Sequence, residues 1–195
     1  RLLVKGGVEP SVVRNYGLGV EDAEVIVVLA ACFHDIGIAV HRDNHEQYSL
    51  IFAYPKSRAL LQDLYDEAGR TIITSEVMHA VIAHKVSETC LTIESGVLKV
   101  ADALDMAEGR TRIPFEAGKV DIHSISALAV DAVDIEPGAD RPVRIVVRLA
   151  NSAGIFQVDE LLRKKLKNSS IREYVEVVAR IEGEKERRLM ESYRF

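Results

Sequence analysis

A chain of 195 residues, 48% of them hydrophobic, is long enough for one sizeable core or two small ones and too apolar for disorder. Its formal charge of -5 argues against a general nucleic-acid coat, because binding a phosphate backbone needs clustered positive charge. Only two cysteines, Cys32 and Cys90, favour a reduced, cytoplasmic setting over a disulfide framework. No apolar window reaches the length of a membrane span.

The opening RLLVKGG reads as the tail of a longer helix that ends near Gly6 and Gly7, followed by a turn-prone segment with Pro10. A buried helix is expected from about Asp22 to Ile36, because Val25 to Phe33 carries no polar side chain. Cys32 is expected inside it as a small core hydrophobe. Asp43 or Asn44 can cap the next helix, which the pattern breaks at Pro55 and resumes to Gly69. Further helices are expected from Ser75 to about Lys85 and from Thr92 to Glu108. After Pro114 the period changes. Ile125 to Ile135 reads as a strand, EPGADRP as a turn, and Val143, Ile145, Val147 and Leu149 alternate with Arg144 and Arg148 as a half-buried strand. Ile155 to Lys167 is expected as a helix, Val175 to Ile181 as a third strand, and the charged tail as helical or frayed. The fold class is α+β. An all-α domain over residues 1–114 precedes a small β-β-α-β unit over residues 120–195, with the switch near residues 112 to 124.

His34 and Asp35 end the apolar run. Burying a neighbouring imidazole and carboxylate costs several kcal/mol unless something satisfies them. A helix C-cap, with Gly37 closing the helix, is one solution. A divalent metal is the other, since neutral imidazole and ionised carboxylate are ordinary ligands. His45, His84 and Asp102 follow at wide spacing, each on a helix or near a helix end.

The segments AACFHDIG around His34-Asp35 and LKVADALDMAEGR around Asp102 resemble the HD superfamily of metal-dependent phosphohydrolases. That pattern is an upstream His, a His-Asp doublet and a distant Asp, and the likeness covers about the first two-thirds of the chain. It implies an HD-type helical domain and one or two divalent ions (Mn, Fe, Zn, Co, Ni or Mg) held by His34, Asp35 and Asp102. In two-metal relatives two further histidines join, and here these would be His45 and His84, with His41 able to replace His45. The pattern's first His is expected upstream of Arg1. The family's Ala-Asp pair selects Asp102, whereas helical spacing alone prefers Asp105, which is then expected beside the ligands rather than among them. His79 lies five residues before His84, about 140° around a helix, and is expected as a solvated surface residue.

The chemistry implied is hydrolysis of a small phosphomonoester or phosphodiester, a nucleotide among the candidates, with Asp35 and Lys85 as catalytic residues. A bound ion would acidify water and polarise phosphoryl oxygen. Lys85, with Arg42 and Arg110 behind it, would neutralise phosphate, and Glu46 would handle a proton. The doublet is followed by IGIAV rather than the Glu-Asp pair of guanosine tetraphosphate hydrolases. His84 is followed by KVSETC rather than the Gly-Tyr-Pro element of cyclic-di-GMP enzymes, and the extra His of cyclic-nucleotide phosphodiesterases is absent. Two other readings compete: a degenerate HD-fold sensor module, and a di-iron HD-fold oxygenase. The C-terminal unit suggests either a homodimer through a sheet edge or a packing cap.

Overall fold

The computed structural model describes residues 1–106, 129–181 and 192–194. They form two compact units. One contains residues 9–102 and 168–171, the other residues 1–8, 103–167 and 172–195.

The first unit is helical. Helix α2 (Ser11–Tyr16) stops at Gly17, whose φ of 69° only glycine adopts without strain. Helix α3 (Val20–Phe33) starts where Asp22 accepts the Gly19 amide at 2.7 Å. It buries Ala23, Ile26, Ala30 and Phe33 along one stripe, while Val28 is 59% exposed and Cys32 is exposed too. The run is therefore buried on one face and not all round, and Cys32 is no core residue. A period of 3.6 turns an unbroken apolar run outward as well as inward. A 3₁₀ turn, Ile36–Ala39, follows.

Helix α4 (His45–Leu60) runs straight through Pro55, where a break was expected. Pro55 lies on the exposed side, where water can satisfy the freed carbonyl. The buried stripe Glu46, Ser49, Ala53, Ser57 continues on both sides of it. Helix α5 (Glu67–Ala83) merges what the sequence divided at Gly69 and Ser75. Asp66 caps it by accepting the Gly69 amide at 2.7 Å, so this glycine belongs to the first turn and ends nothing. Helix α6 (Ile93–Leu104) starts beside Thr92, whose Oγ1 accepts the Ser95 amide at 3.3 Å. Ser11 Oγ accepts the Ile93 amide at 2.8 Å, and Glu94 Oε1 accepts the Val12 amide at 3.1 Å, which locks α2 to α6. Ile26, Ala30, Ala53, Leu61, Ile73, Val77, Ala80, Val81 and Leu98 make the core. Alanines at the crossings let these helices approach closely.

In the second unit α1 (Leu2–Lys5) precedes a four-stranded sheet ordered β1-β2-β3-β4. β1 (Val130–Pro137) pairs antiparallel with β2 (Val143–Leu149), and β2 pairs parallel with β3 (Val175–Ile181). β4 (Ser192–Arg194) adds a strand within the tail expected to be helical or frayed. The parallel pair needs a crossover, supplied by α7 (Ile155–Gln157), a π-helical stretch (Val158–Arg163) and α8 (Lys164–Lys167). Val158, Leu162 and Leu166 recur every four residues on its buried side, a spacing suited to the wider π turn. One sheet face is charged, with Arg144 Nε 3.0 Å from Glu176 and Arg148 3.2 Å from Asp134. The boundary expected at residues 112 to 124 lies outside the described residues, as does Arg110. Among the described residues no helix is long and apolar enough to cross a membrane.

Candidate metal centre

Four helices of the first unit deliver the polar cluster. His34 is the C-cap of α3 and Asp35 follows it; His45 opens α4; His84 is the C-cap of α5; Asp102 sits in the last turns of α6. The turn after the doublet is pressed onto α4. A Cβ at Gly37 would run into the His45 carbonyl and the Ser49 backbone. Ser49 Oγ accepts the Gly37 amide at 2.9 Å and donates to the His34 carbonyl at 2.6 Å. These contacts bring His45 up to the doublet.

The three imidazoles share one arrangement. Nδ1 of His34 lies 2.8 Å from the Ala31 carbonyl, Nδ1 of His45 lies 2.9 Å from the Arg42 carbonyl, and Nδ1 of His84 meets the Val81 carbonyl. A carbonyl can only accept, so each Nδ1 donates, and each neutral ring presents its Nε2 lone pair. Those Nε2 atoms converge. His45 Nε2 is 3.4 Å from His84 Nε2 and 3.1 Å from Asp35 Oδ1, and His84 Nε2 is 3.5 Å from the same oxygen. His34 Nε2 is 3.5 Å from Asp35 Oδ2 and 3.8 Å from Asp102 Oδ1.

Two nitrogen donors on one tetrahedral ion, each about 2.0–2.1 Å away, would stand about 3.4 Å apart, which is the His45–His84 separation. Donor atoms of Asp35, His45 and His84 all fall within 4.8 Å of one another, so the group could hold a metal ion. Without one, protons take its place. The Asp102 carboxylate raises the pKa of His34 against the opposing effect of burial, and hydrogen bonding to His84 lowers that of Asp35. His84 is only 3% exposed, whereas the Asp35 side chain is 40% exposed, so the cluster opens to solvent on the Asp35 side.

Residues 11–107 match the HD domain family. The chain belongs to the HD family. It is also 44% identical over 185 residues to the uncharacterized protein MJ1020 of Methanocaldococcus jannaschii, a match covering 95% of this chain and 71% of that protein. No solved structure matches. Within the HD domain the doublet, His45, His84 and Asp102 lie near one another, and several other expectations fail. His79 is half-buried, not solvated: its Nε2 accepts the Leu91 amide at 3.1 Å, and burial lowers its pKa. His41 engages its own loop, accepting the Asp43 amide at 3.1 Å. Asp105, preferred by helical spacing, is exposed beyond the end of α6, while the Asp102 side chain is 9% exposed. Lys85 Nζ donates to Asn44 Oδ1 at 3.4 Å and lies 3.9 Å from Glu46. Arg42 is exposed. Gly37 and Ser49, which hold the doublet against α4, carry no signal in the letters, because their role is defined only by what folds onto them.

Proposed function

We propose that this HD-family chain is a metal-dependent phosphohydrolase that cleaves a small phosphomonoester or phosphodiester, with nucleotides among its candidate substrates. The observation that carries the reading is the group of Asp35 with the Nε2 atoms of His45 and His84, with His34 and Asp102 beside it and each Nδ1 tied to backbone. His34, Asp35, His45, His84 and Asp102 would hold the ions. Asp35 turns Oδ2 toward His34 and Oδ1 toward His45 and His84, so either of its oxygens could serve as a donor to a divalent ion. Such ions, when bound, would lower the pKa of water toward neutrality and polarise a phosphoryl oxygen.

The chain's own residues supply the rest. Asp35, on the open side, stands where substrate enters. Lys85, beside His84 and 35% exposed in its side chain, would meet the phosphate charge that the ions leave unbalanced. The backbone bonds to all three Nδ1 atoms hold the rings in one tautomer, so no reorganisation accompanies binding. Cys32 is an exposed thiol, which suits a reducing compartment such as the cytoplasm.

The test is metal content by elemental analysis after loading with manganese, zinc, iron or cobalt, followed by release of orthophosphate from mono- and diesters. Two ions per chain with oxygen-independent hydrolysis would support the reading. Failure to bind any of these metals would sink it, and turnover that requires iron and oxygen would replace it with oxygenase chemistry.

A further inference from the structure

Glu46 is a buried carboxylate that the metal cluster does not use. It is 6% exposed, and among the described residues its Oε2 has no hydrogen-bond partner. A carboxylate in that state is costly unless a cation stands close. Lys85 Nζ stands 3.9 Å from Oε2, while Oε1 lies 3.9 Å from His45 Nε2. A second group reaches the same ammonium. Asn44, at the start of α4, holds φ 58°, the one positive φ among the described non-glycine residues, and its side chain makes no cap for the helix. Its Oδ1 instead accepts from Lys85 Nζ at 3.4 Å. A lysine stem has four rotatable bonds and loses much rotamer freedom when fixed, so an acceptor and a carboxylate from one helix start define where its charge sits.

We propose that Glu46 and Asn44 are positioning residues that aim the Lys85 ammonium at the phosphoryl group of a substrate bound at the metal cluster. The proposal rests on the phosphohydrolase reading. Glu46 draws the ammonium toward the start of α4, and Asn44 fixes its direction. Neither residue touches the substrate. An ammonium has three donors; Asn44 takes one of them, and the others stay available to a phosphate oxygen.

The test uses the full chain loaded with manganese and measures three quantities: metal content, orthophosphate affinity by calorimetry, and kcat and KM on a generic phosphomonoester. Lys85→Met should weaken orthophosphate binding by about 10-fold or more, the scale of a lost charge-assisted hydrogen bond, and raise KM with metal content unchanged. Glu46→Gln should shift orthophosphate affinity and KM in the same direction by a smaller factor, and adding it to Lys85→Met should cause little further loss. Asn44→Gly keeps the backbone conformation, removes Oδ1 and should behave like Glu46→Gln, which guards against a folding defect at the buried carboxylate. Unchanged orthophosphate affinity in both Glu46→Gln and Asn44→Gly would overturn the proposal. So would loss of metal in Glu46→Gln, which would make Glu46 a ligand. A wild-type chain that binds neither metal nor orthophosphate would overturn the phosphohydrolase reading itself.

Discussion

Asp35 turns its two oxygens to different groups of the cluster, which makes its removal a sharp single change. Asp35→Ala should abolish metal retention and any hydrolysis, checked by elemental analysis and phosphate release, because it takes one donor from both sides of the site at once. The protons follow a defined sign. His34 has its pKa raised above the ordinary 6.5 by Asp102, so in the metal-free protein this pair contributes stability that is fully present below pH 6.5. That stability is lost as pH rises through the raised value. Metal needs the neutral ring, so metal affinity should climb as pH rises through the same window and fall on acidification. Titrating metal at several pH values with proton release measured alongside would show it, and a pH-independent affinity with no proton release would contradict it. His79 gives the contrasting case. His79→Ala frees the Leu91 amide near solvent, so it should cost about 1 kcal/mol and leave metal content unchanged.

Elements carry the positions of these residues, and two of them depend on single contacts. Gly37 has no room for a side chain between the doublet and α4. Gly37→Ala should therefore cost about 1–3 kcal/mol or more of overpacking and displace His45 from His84, read as weaker metal binding together with a lower denaturation midpoint. Pro55 makes the opposite case. Proline in a helix interior is about 3 kcal/mol worse than alanine, partly offset by about 1 kcal/mol of unfolded-chain entropy. Pro55→Ala should raise stability by about 2 kcal/mol with the site unaffected, measured by denaturant unfolding. Breaking α4 at Pro55 and α5 at Gly69 followed sound local rules. Both failed because proline faces outward on a helix whose small buried residues continue past it, and because Gly69 is the residue whose amide Asp66 caps. Burial stripes on neighbouring helices decided the outcome.

At the scale of the whole molecule the chain divides into a helical unit holding every candidate ligand and a sheet unit holding none. A metal that binds only the folded helical unit should stabilise that unit by about 4 kcal/mol at a thousandfold excess over its dissociation constant. Calorimetry with and without manganese should show a metal-dependent transition that Asp35→Ala abolishes, while the far-UV signal of the sheet persists.

Periodicity and chemistry were legible in the chain as letters. The apolar run ending in His-Asp, the change from helical to alternating period, the crossover helix and three of the four strands all rest on local patterns, and local patterns survive unfolding the argument into one dimension. Asp102 over Asp105 came from a motif and against the helical wheel, because the wheel knows only its own helix. Tertiary structure alone decided the remainder: that Gly37 and Ser49 clamp the doublet to α4, that His45 and His84 turn the same nitrogen to one oxygen of Asp35, that His79 is half-buried, and that Glu46 and Asn44 reach Lys85. Each of these is a contact between residues remote in the chain or a direction taken by a side chain. Only packing the helices against one another determines either.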